Sequence, residues 1–200
     1  MATKIYLGEP PQYMIDWIKA HSKPVGNPKT KITFVDGPSQ EYDWKGEINL
    51  NTIIAAGLFS EDEGVWIKRP QTVEIGTNVT SIGHSLFCNC NYMTSVTIPN
   101  SVTSIEENAF GDCDSLTSVM ISDSVTNIGD YAFQRCNSLT SVTISDSVTS
   151  IGYSAFSVCD GLTSVTFSGK DMATVQGMAN YSWALNSGCV IHCTDGDITI

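Results

Sequence analysis

Seven cysteines are the first residues in this chain that could do chemistry, as bridges, metal ligands or nucleophiles. Four of them, Cys90, Cys113, Cys136 and Cys159, recur every 23 residues. Zinc sites use paired C-x2–4-C or Cys/His clusters, and neither this spacing nor CNC at 88–90 supplies one. Thiols at one position of stacked turns form an internal ladder of small, weakly polar side chains, which is the reading preferred here over bridges or a metal. In CVIHC, His192 falls on the opposite strand face from Cys189 and Cys193, which argues against a Cys/His pair.

The serines fare no better as nucleophiles. GHSLF at 83–87 and GYSAF at 152–156 begin like the nucleophile elbow G-x-S-x-G, but Phe87 and Phe156 stand where the last glycine belongs. The chain has three histidines, and it lacks HExxH, a phosphate-binding glycine loop and an EF-hand loop. Asp195 and Asp197 in TDGDI, and Asp112 and Asp114 around Cys113, read as solvated turn residues in preference to cation ligands. No residue becomes a catalytic, cofactor or metal candidate.

What must position these residues is a repeat. LTSVTISDSVTSIGYSAFSVCDG from Leu139 follows LTSVMISDSVTNIGDYAFQRCNS from Leu116 and MTSVTIPNSVTSIEENAFGDCDS from Met93, with PQTVEIGTNVTSIGHSLFCNCNY from Pro70 as a worn first copy. In the copy from Leu139, Val142 and Ile144 lie two apart, so they share one strand face while Ser141 and Thr143 share the other. SDS is turn chemistry, Val148 to Ile151 makes a second inward edge, and YSAF is expected to be a tight helical or 3₁₀ turn that drops Phe156 into the centre. One such turn cannot bury its own apolar face. Four stacked turns can, so the repetition is the fold.

The pattern L-T-S-V-x-I-x-x-S-V-T-S-I-G-x-x-A-F-x-x-C resembles the 23-residue BspA-like leucine-rich repeat, found in bacterial surface proteins and in some protist and bacteriophage-encoded proteins. The tail NYSWALNSGCVIHCTDGDITI is similar to the segment that closes such arrays. The resemblance implies a curved solenoid with a parallel sheet and a role in adhesion or protein binding. The first copy departs from the pattern at Pro70, Glu74 and Leu86, as a terminal repeat would. Glu106 replaces the glycine seen at 83, 129 and 152, so that glycine is not an obligatory left-handed residue.

Residues 1–69 are not repetitive and read as a small α+β unit for docking and for covering the first turn. KIYL reads as a strand, and PPQYMIDWIKAH as a proline-opened helix that puts Met14, Trp17 and Ile18 on one face. KITFVDGPSQEYDW reads as a hairpin with Ile32 and Phe34 against Tyr42 and Trp44 around DGPSQ. Asn51 is placed to cap a short helix in NTIIAAGLF, and VWIKRP leads as a strand into the first turn. Residues 45–69 are expected to cover that turn, while the face of Tyr13, Met14 and Trp17 reads either as a docking or self-association element or as packing onto the hairpin at 32–44. The expected division is 1–69, the repeats at 70–168 and a C-terminal cap at 169–200, mostly β overall.

Charge narrows the partners. The net charge is −11, and from Pro70 to Gly169 Arg135 stands alone against nine Asp and Glu, so the repeats repel phosphate and nucleic acid is excluded as a partner. No apolar run approaches the roughly 18 residues of a membrane-spanning helix. MATKIYLGEPPQ does not look like a secretory signal, and the expectation is a chain close to a full gene product without a cleaved leader.

On the outward strand face, Ser95 and Thr97, Ser141 and Thr143, and Ser164 and Thr166 form hydroxyl ladders, interrupted by Met120 and Glu74. Ice-binding solenoids share that arrangement, but short hydroxyls suit any exposed strand, and the interruptions break the array. His84, Glu107, Asp130 and Tyr153 share one edge, where Tyr131 and Tyr153 are the candidate aromatic contacts. The function expected is therefore non-enzymatic: an interaction or adhesion module for a protein or a surface glycan, in a virion or on a bacterial surface. Its candidate contact residues are Tyr13, Met14, Trp17, Tyr131 and Tyr153. The rival reading is an enzyme with its site in residues 1–69 and the repeats as a recognition arm.

Overall fold

The computed structural model describes residues 29–60, 65–66, 68–178 and 183–200. The expected strand KIYL and the helix carrying Tyr13, Met14 and Trp17 lie outside these residues. Each repeat supplies one strand to a large sheet, namely β6 (Pro70–Glu74), β8 (Ser95–Thr97), β10 (Ser118–Met120), β12 (Ser141–Ile144) and β14 (Ser164–Phe167). A second, shorter strand follows in β7 (Val79–Ile82), β9 (Ser104–Ile105), β11 (Asn127–Ile128) and β13 (Ser150–Ile151). Both sets pair in parallel with partners 23 residues apart, such as Val142 with Val165 and Ile128 with Ile151. The stack is thus a parallel solenoid of about five turns in the large sheet.

Alternation sets the faces as expected. Val142 and Ile144 are buried while Ser141 is exposed and Thr143 half-exposed. Phe87, Phe110, Phe133 and Phe156 form a central column of near-parallel rings, with centroids 5.5, 5.2 and 5.5 Å apart.

The third side of each turn is not a continuous helical or 3₁₀ segment, the two forms expected for YSAF, although single turn bonds such as Ser157 N–H to Ser154 O are present. It is a run of hydrogen-bonded turns with two left-handed residues per copy: Ser85 and Asn89, Asn108 and Asp112, Tyr131 and Arg135, Ser154 and Val158. That conformation turns alternate amides toward the next repeat, as in Phe87 N–H to Ala109 O at 2.8 Å and Phe110 N–H to Ala132 O at 2.8 Å. A helix would have spent those donors within the segment, whereas here they join the turns. The repeat glycines are not left-handed, as expected. Instead their missing side chain allows close approach: a Cβ on Gly129 would stand 2.6 Å from the carbonyl carbon of Glu106. At the equivalent position Glu106 carries a side chain that accepts from Ser104 Oγ at 2.6 Å. Nothing in the structure explains why that turn alone accommodates it.

Hydroxyls also join the turns. Thr117, Thr140 and Thr163 each donate Oγ1 to the backbone carbonyl of the threonine 23 residues earlier, at 3.3–3.4 Å. Thr126 and Thr149 do the same at a second corner, at 3.2 Å. Such bonds contribute about 0.5–1.5 kcal/mol each, less where water competes.

At the N-terminal end, β1 (Thr30–Phe34) and β2 (Gly37–Tyr42) form a hairpin as expected, but in another register: Tyr42 faces Thr30, Ile32 faces Gln40, and Trp44 lies beyond β2. Its turn is tighter than DGPSQ, because Gly37 to Gln40 already belong to β2, an edge strand where Pro38 is tolerated. β1 lies antiparallel against β6, so the covering of the first turn begins at residue 30, not 45. β3 (Gly46–Ile48) covers the smaller sheet by pairing with β7. The helix α1 (Leu50–Ala55) is capped by Asn49, not Asn51. Asn49 is extended and finds Thr52 three residues on to complete a reciprocal capping box, while Asn51 is already inside the helix. β4 (Phe59–Ser60) and β5 (Val65–Trp66) pair with each other, and VWIKRP is divided between β5 and β6.

At the other end, helix α2 (Met172–Gly177) precedes β15 (Val190–Cys193) and β16 (Gly196–Thr199). β15 extends the large sheet in parallel and β16 turns back against it. Trp183, 1% exposed, tilts against Phe167 at 5.6 Å, and its carbonyl accepts from Phe156 N–H at 3.3 Å.

Candidate interaction surface

The register assembles two side-chain rows on the outward face of the large sheet. One runs Thr33, Thr72, Ser95, Ser118, Ser141, Ser164 in adjacent strands. The other runs Lys31, Glu74 and Thr97 at one end, Met120, Thr143 and Thr166 in the middle, and His192 with Asp197 at the far end. Lys31 and Glu74 pair at 3.7 Å, and His192 Nδ1 lies 2.8 Å from Asp197 Oδ1. Between these paired ends the face is neutral, and Met120 stands 71% exposed at its centre.

The turn edge gathers the other candidates. Tyr131 and Tyr153 meet edge to face with centroids 5.6 Å apart, and Tyr153 is 57% exposed. Asp130 Oδ1 accepts the Tyr153 N–H at 2.7 Å, which fixes the loop under the ring. His84 and Glu107, in the first and second turns of the same edge, are 3.7 Å apart. Tyr13, Met14 and Trp17 lie outside the described residues.

The residues weighed for chemistry are occupied elsewhere. Ser154 is buried, and Ser85 Oγ accepts from Asn108 Nδ2 at 3.2 Å. Asp195 Oδ1 accepts from Met172 N–H at 2.8 Å, Asp114 Oδ1 from Asn137 Nδ2 at 2.7 Å, and Asp112 lies 3.5 Å from Arg135. Among the described residues no group of three or more His, Cys, Asp or Glu could hold a metal ion.

The spaced thiols are built into the ladder. Cys113, Cys136 and Cys159 donate Sγ–H to the carbonyls of Phe87, Phe110 and Phe133 at 3.0–3.2 Å. Burial pushes Cys90 and Cys113 above the ordinary thiol range. At Cys136 and Cys159 the hydrogen bond with the thiol of the preceding turn does so first, and burial adds to it. Two consequences follow from thiolate chemistry. With a thiol reagent on the native chain, Cys88 and Cys193, which are partly exposed, should be modified well before the four ladder cysteines. Because the folded pKa values are raised, the unfolded chain loses thiol protons first, so stability should fall as pH rises past about 8.5. Equal labelling rates for all seven thiols, or a stability flat through that range, would remove the ladder assignment.

The inter-turn hydroxyl bonds were missed in the sequence. A signal for them existed, since Thr94, Thr117, Thr140 and Thr163 keep one identity where an exposed corner alone would tolerate many.

A parallel solenoid of 23-residue turns with a phenylalanine column and hydroxyl-bonded corners defines a leucine-rich-repeat protein. Residues 67–185 match the family described as "BspA type Leucine rich repeat region (6 copies)", and the chain belongs to that family. It is similar to the crystal structure of a leucine rich cell surface protein from Faecalibacterium prausnitzii A2-165, with 33% identity over 55% of this chain and 29% of that one and a TM-score of 0.53. It is also similar to the T. pallidum leucine rich repeat protein, with 33% identity, 48% and 44% of the two chains and a TM-score of 0.47. A leucine-rich repeat protein from Bacteroides ovatus ATCC 8483 matches with 25% identity over 68% and 37%, TM-score 0.48. The chain thus spans less than half the length of each of these three structures. No curated protein matches it. Among the described residues no helix is long and apolar enough to cross a membrane.

Proposed function

We propose that this chain is a non-enzymatic protein-interaction module that works at a bacterial surface, with its turn edge as the contact region. The observation that carries the reading is the Tyr131–Tyr153 pair, exposed at Tyr153 and half-buried at Tyr131, held on a ladder of inter-turn hydrogen bonds. Tyrosines fixed by the backbone lose little entropy on binding and are frequent anchors of interfaces. The repeats beneath them carry nine acidic residues and one arginine, so the partner's matching surface is basic and the association weakens with salt. The covering hairpin at 30–42 and the segment 169–200 serve to close the two ends of the stack. The surface setting draws support from the description of the F. prausnitzii relative as a cell surface protein. The relatives lend none to the virion setting.

The test is binding of the full chain to a panel of immobilised extracellular-matrix proteins and to arrays of basic and acidic peptides, at low and high salt. Tyr131→Ala/Tyr153→Ala should weaken binding to a basic partner by at least about tenfold, or roughly 1.4 kcal/mol, without moving the melting temperature. Binding that ignores both the double substitution and salt would overturn the assignment of this edge.

A further inference from the structure

The tip of the β1–β2 hairpin meets the segment that leads into β6, and between them opens a cavity of about 250 Å3 lined by Phe34, Asp36, Pro38, Gln40, Lys68 and Arg69. Val35 N–H donates to Arg69 O at 3.0 Å, which ties the two walls together. Both cations are held in place. Lys68 Nζ lies 2.8 Å from Gln40 Oε1 and 5.2 Å from the centroid of the Phe34 ring. Arg69 pairs with Asp36, and its guanidinium lies 4.8 Å from the centroid of Tyr92. In contrast to the neighbouring repeats, whose charge is almost wholly acidic, this cavity thus has two adjacent cations braced at its wall.

We propose that this cavity binds the carboxylate-bearing sugar ring of an acidic glycan, a uronate or sialate type of unit. Lys68 and the guanidinium N–H groups of Arg69 that Asp36 does not occupy receive the carboxylate. Asp36 provides an acceptor for a sugar hydroxyl, and the Gln40 amide N–H2, whose oxygen already takes Lys68 and the Tyr42 hydroxyl, provides a donor. Pro38 and the edge of Phe34 provide apolar surface for the C–H face of a pyranose. A compact dianion such as phosphate is a poorer fit, because Asp36 repels a second negative charge and the apolar wall would go unused. The volume falls below the roughly 300–1,000 Å3 of pockets for drug-sized ligands, so it takes one ring and not an extended chain. Because both cations are already oriented, little side-chain entropy is lost on binding. The site lies at the first turn and does not depend on the Tyr131–Tyr153 edge in the third and fourth.

The experiment is a calorimetric and amide-shift titration of the full chain with glucuronate, N-acetylneuraminate, glucose and inorganic phosphate. At least one acidic sugar should bind saturably, with shifts at the amides of Gln40, Lys68 and Arg69, and glucose should not. Lys68→Met should weaken that binding by about tenfold or more, while Lys45→Met, outside the cavity, and Tyr131→Ala/Tyr153→Ala should leave it unchanged. If Lys68→Met melts early, Lys68→Gln and the location of the wild-type shifts decide the matter. No saturable binding of either acidic sugar, glucose or phosphate binding as tightly, shifts elsewhere, or indifference to loss of Lys68 would overturn the proposal.

Discussion

Phe133→Ala should destabilise the protein by about 3–5 kcal/mol, read as a shift of the denaturant midpoint. Phe133 is fully buried and stacked between Phe110 and Phe156, with rings within 7° of parallel. Its removal therefore opens a cavity bounded on two sides by aromatic faces, and neither neighbour can close it without leaving its own turn. Because each turn of a solenoid contacts its neighbours alone, the loss sits between two halves of the stack, and a fall in the slope of the transition would report that they have uncoupled. Thr143→Ala, on the outward face, should change stability by no more than about 0.5 kcal/mol. Equal losses from the two substitutions would mean that the inward and outward faces are wrongly assigned.

Trp183→Ala should cost a similar 3–5 kcal/mol, but in a different place. Trp183 is almost wholly buried at the C-terminal end of the phenylalanine column, against Phe167, and its backbone carbonyl takes the Phe156 amide that would otherwise look for a further turn. Truncating the ring should therefore expose the last turn first. Amide exchange should accelerate at Phe156 and Leu162 while Phe87 and Phe110 keep their protection. Trp183→Phe should recover a large part of the loss, because most of the buried surface returns. A loss below about 1 kcal/mol, or exchange that accelerates uniformly along the stack, would show that this segment does not close the solenoid.

The sequence by itself determined whatever recurs at a constant interval. The 23-residue period placed Val142 and Ile144 inside, Ser141 and Thr143 outside, the phenylalanines in a column and the thiols in a ladder, and it put Tyr131 and Tyr153 on one edge. Parallel stacking turns a sequence interval into a spatial neighbour, so one written period specifies every contact made in it. Tertiary structure alone decided contacts that the period does not contain. Asp36 and Arg69 stand 33 residues apart and meet only because β1 docks on β6. The left-handed backbone of Tyr131, Arg135 and Val158 was hidden for a related reason. None of them is a glycine, and at Tyr131 and Arg135 the backbone N–H donates to the next turn, to Tyr153 O and Ser157 O, and not to the residue's own neighbourhood.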